Sequence, residues 1–595
     1  MVRRVVVFFF LFFSLASSAY ALNYDVRIMG VKDLSVFKEL KNSSDLVGMK
    51  KKPPPSINAL RYRMDRDLPQ LMKVLHANGY YDATITPSVT TEGDTVIITL
   101  FVETGQRYTI GSYAIFTTLG KEEMGKAPEE KKEVAIPLKQ LGLHLQEGAD
   151  ERKILQARLL LLTHLAEKGY PLATIENQEV IADGSEKELH ITLMVQLGPL
   201  CHFGSLSTTG LIDVSPRFLE GKIVWKRGEN YSTTLIEETQ QKILESDLFS
   251  SVMITHADAV SDNQELPMKV HLTESKHKSL SLGLSYATVD GMGCNFAWSH
   301  RNLRHMGEQL SLEGSLSQKG HSGLILFRKP DFLKTDQDFI ARFYAEREDI
   351  FPYLAFTYGS SLALDRKIKK RREFSFGIAE EYIDVTHSAN DGKYLLVALP
   401  LMLKISNNLN LLNPLSGYQI SYRITPSFNL HRHHNFFFKE VLTIETYAPI
   451  VKEDKFILAL RTELGSIIGP SVFFIPMTKL FLGGSYINLR GYKYRTVSPR
   501  NMDGKPVGGR GAIFINIEPR LRITSMIGIV PFFDLGCVTD RPYPTPEKKW
   551  YKSTGIGLRY FTFFGPLSID IGFPLNRRSQ LDPRYQLYAS VGQTF

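Results

Sequence analysis

Two short stretches in the last fifth of the chain carry side chains that suit one another chemically. Residues 482 to 511 open Leu-Gly-Gly-Ser-Tyr-Ile-Asn and continue Leu489-Arg490-Gly491-Tyr492-Lys493-Tyr494-Arg495 toward Gly508-Gly509. The second stretch is Phe532-Phe533-Asp534-Leu535-Gly536. A guanidinium is planar, stays charged and can bond a carboxylate through two parallel hydrogen bonds, so Arg490 is a suitable partner for Asp534. On a strand Phe532, Asp534 and Gly536 share one face. If Asp534 faces a polar interior, Phe533 and Leu535 face lipid. Such a pair would hold a loop in place rather than transform a substrate.

Chemistry of the transforming kind is missing from the sequence. There is no HExxH, no GxSxG elbow and no phosphate-binding Gly-Lys-Ser/Thr loop, so neither a catalytic residue nor a cofactor is expected, and the chain reads as a non-enzyme. Cys201, Cys294 and Cys537 are odd in number and widely spaced, which indicates no disulfide framework and no metal cluster. His431, His433 and His434 sit at a turn without nearby cysteine and read as solvated, as does the basic run from Lys367 through Lys369 and Lys370 to Arg372. The formal charge is +9; residues 1–21 hold Arg3 and Arg4 and no acid, so without them it is +7. That surplus is too diffuse to point to nucleic acid.

The elements that must position these residues follow from length and patterning. A chain of 595 residues exceeds what one core usually organises, and 36 Phe and 26 Tyr beside 3 Trp suit strands more than helices. Arg3 and Arg4, the apolar run from Val5 to Phe13 and Ala19-Tyr20-Ala21 read as a secretory signal peptide over 1–21. No later window reaches 18 consecutive apolar residues. A membrane barrel would not show one, because its strands need only every second residue apolar; mean hydropathy is −0.12.

The pattern divides near residue 276. Before it, an amphipathic helix ending in Gly-Tyr and followed by two strands recurs: Leu71 and Leu75 precede Gly79-Tyr80, and Ile154, Ala157, Leu161 and Leu165 precede Gly169-Tyr170. A third copy has Leu235, Thr239 and Ile243 before Leu248-Phe249. The expected units are 22–105, 106–198 and 199–275. From 276 to 595, segments of about ten residues alternate apolar and polar between turn clusters. About 16 strands are expected, from 278–287 to 584–594, with the eighth at 394–405.

The repeats resemble POTRA domains, and Leu489-Arg490-Gly491-Tyr492 with Phe532, Asp534 and Gly536 resembles the paired motifs of the outer-membrane assembly barrel superfamily. The continuation through Ser498-Pro499-Arg500 and Gly508-Gly509 is similar to TamA-type members, and three repeats fit these better than the five of BamA. The resemblance implies α+β periplasmic repeats followed by a transmembrane antiparallel β-barrel in the outer membrane. It also implies that the arginine of the inserted loop meets the aspartate inside that barrel. Its expected partners are unfolded outer-membrane protein clients, outer-membrane lipid and a TamB-like inner-membrane-anchored protein reached through the repeats, with no nucleic acid. A two-partner-type polypeptide secretion pore is the alternative. Unpaired strand edges are costly in hydrocarbon, so the seam where the first strand meets the last, with Gly283, Leu284, Leu587, Ala589, Gly592 and Phe595, is a stored binding site, and the resemblance implies that it opens laterally to admit a client.

Overall fold

The computed structural model describes residues 22–93, 95–118, 132–133, 136–261, 263–287, 291–368, 371–408, 410, 412–431, 434–451, 455–543, 545, 549–563 and 565–595. The expected signal peptide lies outside these, as do His433, Lys369 and Lys370. By contact density the chain forms two units. One comprises residues up to Thr209 with Val224–Gln241 and Met253–His271; the other comprises Gly210–Ile223, Lys242–Val252 and Leu272–Phe595.

Three small sheets precede residue 276. The first, in order β1-β3-β2, is built from β1 (Tyr24–Met29), β2 (Thr84–Glu92) and β3 (Thr95–Glu103), with α1 (Leu34–Ser43), α2 (Asp45–Gly48) and α3 (Ile57–Ala77) between β1 and β2. Its core joins Leu71 and Leu75 of α3 to Ile98 and Leu100 of β3. The second sheet, β5-β4-β7-β6, uses β4 (Thr109–Thr118), β5 (Lys132–Glu133), β6 (Thr174–Asp183) and β7 (Glu188–Gln196), with α4 (Glu151–Glu167) packed through Ile154, Ala157, Leu161 and Leu165. The third, β8-β10-β9, has β8 (His202–Thr209), α5 (Pro216–Glu220), α6 (Thr233–Leu244), β9 (Phe249–His256) and β10 (Glu265–Glu274). Gly79 and Gly169 follow α3 and α4 at φ +85° and +95°, where a side chain would be strained, which is why each helix stops before its Gly-Tyr step.

The remainder is one antiparallel sheet of 17 consecutive segments. These are β11 (Lys278–Ala287), β12 (Gly291–His300), β13 (Gln309–Ser317), β14 (Gly320–Lys329), β15 (Gln337–Ile350), β16 (Tyr353–Lys367), β17 (Arg372–Thr386), β18 (Gly392–Ala398), β19 (Leu401–Ser406), β20 (Gly417–Asn429), β21 (Phe436–Val451), β22 (Phe456–Ile468), β23 (Gly511–Arg522), β24 (Ile527–Thr539), β25 (Tyr551–Thr562), β26 (Gly565–Pro574) and β27 (Gln586–Val591). The count exceeds the expected 16 by one because the eighth strand is broken. Both β18 and β19 pair with β17 on one side and β20 on the other. Pro400, which has no N–H to give to a ladder, lies between them, and its carbonyl accepts from Gly377 instead.

The last strand also differs from expectation. β27 ends at Val591, where Gly592 takes φ +94°, a value only glycine adopts freely. The Gly592 N–H then donates to the Pro566 carbonyl and the Gln593 N–H to that of Leu412, which turns the chain off the strand. Among the described residues no ladder joins β11 to β27, although the two approach one another.

Candidate functional site

Residues 469–510 connect β22 to β23 and pack on one face of the sheet, here called the inner face. Strand parity prepares that face: Asn516, Glu518 and Arg520 on β23 and Phe532, Asp534 and Gly536 on β24 are buried on it, while Phe533 and Leu535 point to the other side.

Arg490 is fully buried at the centre of the connection. Its Nε and Nη2 donate to the two oxygens of Asp534 at 2.8 and 2.7 Å, and its own backbone N–H donates to Oδ2 at 3.1 Å. Nη1 donates to Glu518 at 2.8 Å and to Asp570 at 3.2 Å. The guanidinium also lies 3.5 Å from the ring centroid of Phe532, a close cation–π contact. One arginine thus ties the inserted segment to β23, β24 and β26.

Further cations complete the cluster. Arg520 bonds Glu518 through Nε and Nη2 at 3.2 and 3.0 Å, and Arg559 bonds Asp570. Three buried arginines therefore meet three buried carboxylates, so no charge in the set lacks a counterpart, which is the condition for charges to survive burial. Asn516 fills the remaining gap, donating to Asp534 at 2.9 Å and to the Asn488 carbonyl at 2.9 Å.

Close approach of the segment depends on absent side chains. Gly491 has φ +86°, and a Cβ there would sit 2.9 Å from Pro574 N and 3.0 Å from Gly572 C. A Cβ on Gly572 would meet the Arg490 Cβ at 3.2 Å, and one on Gly536 the Phe514 ring at 2.9 Å. Leu489, Tyr492, Val497 and Tyr551 form a small buried cluster beside the arginine. The Tyr492 hydroxyl donates to the Lys552 carbonyl at 2.7 Å. Elsewhere on the segment, Arg495 pairs with Glu348 of β15 at 3.0 Å and Lys479 with Glu381 of β17. The segment is therefore fastened at both sides of the inner face.

Of the residues singled out in the sequence, the structure brings together Leu489, Arg490, Gly491 and Tyr492 with Phe532, Asp534 and Gly536. It leaves the seam group in two places. Leu587 and Ala589 lie on the outward face of β27, and Gly283 and Leu284 pair with Asn295 and Cys294 across the β11–β12 ladder. Gly592 and Phe595 lie beyond the strand: Phe595 accepts from Arg520 at 2.7 Å through its carbonyl and packs near Tyr447. The three cysteines are unbridged, Cys201 and Cys537 buried and Cys294 exposed. Sequence reasoning missed Glu518, Arg520, Arg559 and Asp570 as members of the cluster; the signal available was parity, since each stands two residues from another inner-face position.

With this geometry in hand, comparison with known proteins gives a consistent result. Residues 302–595 match the model of the Omp85 superfamily domain. The chain carries an Omp85 superfamily domain. Among curated relatives, it is 23% identical over 577 residues to the outer membrane protein assembly factor BamA of Nitratidesulfovibrio vulgaris, covering 89% of this chain and 68% of the relative. It is 20% identical over 540 residues to that of Neorickettsia risticii, covering 86% and 69%. Among solved structures, BamA from Haemophilus ducreyi lacking POTRA domains 1–3 superposes with a TM-score of 0.63 at 17% identity, over 81% of this chain and all of that one, which establishes a shared fold. This Omp85 protein accordingly resides in the outer membrane, with its N-terminal repeats periplasmic.

Proposed function

We propose that this Omp85 protein inserts β-barrel or autotransporter clients into the outer membrane through the seam between β11 and β27. The observation that carries the reading is the seam itself: the first and last strands of one continuous sheet come close, yet among the described residues no ladder joins them. Each unpaired backbone group costs several kcal/mol in hydrocarbon, so such an edge is a template for an incoming strand. A client strand that pairs with β11 gains those bonds and enters the bilayer sideways, without ATP. The fastened segment 469–510 supports insertion over conduction, because it occupies the inner face that a polypeptide passing through the barrel would need. The three periplasmic sheets leave β1, β2, β5, β6, β8 and β9 as edges, suited to adding an extended client strand or one from a TamB-like partner.

A disulfide lock tests the seam. Leu284→Cys combined with Leu587→Cys or Ala589→Cys should block client assembly when oxidised and restore it on reduction. Leu284 stands opposite Cys294 in the ladder, so Cys294→Ser must accompany the lock to prevent a bridge within the β11–β12 hairpin. Normal assembly by fully cross-linked protein would dismiss the lateral route and favour a two-partner-type secretion pore.

A further inference from the structure

The two sides of the seam are held very differently. On β27, the Tyr588 hydroxyl accepts from the Gly491 N–H at 2.9 Å and donates to the Gln586 Oε1 at 3.2 Å. The Gln586 side-chain amide in turn donates to the Tyr492 carbonyl at 2.9 Å. Just before the strand, Asp582 accepts from the Lys493 N–H at 3.1 Å. The backbone of residues 491–493 is thus read by three consecutive contacts from the last strand and its approach. Residue 490 of the same stretch is the arginine fixed by three carboxylates, so this anchorage is rigid. Along residues 278–283 of β11, by contrast, no hydrogen bond or ion pair reaches the inserted segment among the described residues, and Ser279 bonds its ladder neighbour Ser299.

We infer that Tyr588 and Gln586 are positioning residues that clamp the last strand to the Arg490-Gly491-Tyr492 stretch, so that β27 is the fixed side of the seam and β11 the side that moves. The inference rests on the lateral-seam reading for its functional meaning, but the clamp itself is a statement about which strand is held. β27 has only six ladder pairs to β26, from Leu567↔Val591 to Gly572↔Gln586, against ten between β11 and β12. Judged by ladder length alone, β27 should be the looser strand; the clamp reverses that order. Tyr588 and Gln586 both point to the inner face, where strand parity places them with Ser590 and opposite to Leu587, Ala589 and Val591.

The test uses the full chain in lipid nanodiscs, with Cys201→Ser, Cys294→Ser and Cys537→Ser and with spin labels at outward positions. One pair joins Ile444 on β21 to Ala589, the other joins Ile444 to Leu282. The expected wild-type result is a narrow distance distribution to Ala589 and a broad one to Leu282. Tyr588→Phe with Gln586→Leu should broaden the first and leave the second unchanged. Hydrogen exchange on the unsubstituted chain gives a measurement that needs no variant: the amides of Gln586–Val591 should exchange on the order of tenfold more slowly than those of residues 278–283. An Ala589 distribution that stays narrow in the double variant, or amides of β27 that exchange as fast as those of β11, would overturn the clamp. A broadened Ala589 distribution with client insertion unimpaired would sustain the clamp and instead count against the lateral-seam reading.

Discussion

Removing either member of the Arg490–Asp534 pair should be costly, and removing both should cost little more. The three arginines and three carboxylates of the cluster balance; Arg490→Ala leaves it one negative charge in excess, Asp534→Ala one positive charge, and the double variant restores the balance. Breaking one partner of a buried pair typically costs about 3–5 kcal/mol, because the other charge stays buried without it. Contacting residues couple by up to about 3 kcal/mol. Taking about 4 kcal/mol for each single change, independent sites would give about 8, and the coupled pair about 5. The readout is local opening of the inserted segment, followed by hydrogen exchange at the Leu489 and Val497 amides, whose acceptors Ser485 and Gly483 lie within the segment and are untouched by the substitutions. A loss of about 4 kcal/mol accelerates such exchange roughly thousandfold. Arg490→Lys should fall between wild type and alanine, since an ammonium cannot match both Asp534 oxygens and reach Glu518 as well. Additive losses in the double-mutant cycle, or an Asp534→Asn variant with wild-type exchange, would refute the reasoning.

Gly491→Ala should loosen the same amides by about 2 kcal/mol or more, from the left-handed backbone together with the contact to Pro574, and wild-type exchange in that variant would contradict the close-approach argument. In the periplasmic repeats, burial alone would push the Glu167 carboxyl up, but hydrogen bonds from Thr233, Thr234 and Ser232 outweigh it and bring it down to about 2. A depressed carboxylate contributes stability above its unfolded value of about 4.5 and loses it as pH falls toward 2, so exchange at the start of α6 should quicken over that window and Glu167→Gln should abolish the pH dependence. Glu167 is exposed enough that solvent screening limits its contribution to about 1 kcal/mol. With β18 and β19 counted as one broken strand, Asn501 lies in the connection after the eleventh strand of the sheet, β22; if connections after odd-numbered strands are extracellular, Asn501→Cys should react with a membrane-impermeant reagent on intact cells, and labelling only after the periplasm is opened would reverse the topology.

Much of the sheet was legible because alternation is a local signal. Most strand boundaries fall within two or three residues of those expected, and parity alone groups Asp534 with Phe532 and Gly536 on one face, as the structure has them. Pro400 was visible too, but whether a proline breaks a strand or ends it depends on neighbours that only β17 and β20 supply. The charge cluster was half legible. Arg490 and Asp534 stand in recognisable motifs, whereas Glu518, Arg520, Arg559 and Asp570 are ordinary alternating residues until ladder register brings β23, β25 and β26 beneath one guanidinium. The turn at Gly592 was hidden for a similar reason: its cause is a pair of backbone bonds to Pro566 and Leu412, residues that nothing in the terminal segment announces.

The balance of the arginine cluster has a consequence for how the inserted segment responds to its surroundings. Mobile ions weaken attractions between charges they can come between, over a distance of about 10 Å at moderate salt. Here Arg490, Glu518 and Asp534 have no exposed side-chain surface, and the six charges together present no net charge to draw counterions toward them. The seat of the segment is thereby insulated from ionic strength. Its grip should be the same in dilute and in concentrated surroundings, which suits a part that stays in place while the periplasm, open to small ions, follows the medium outside the cell.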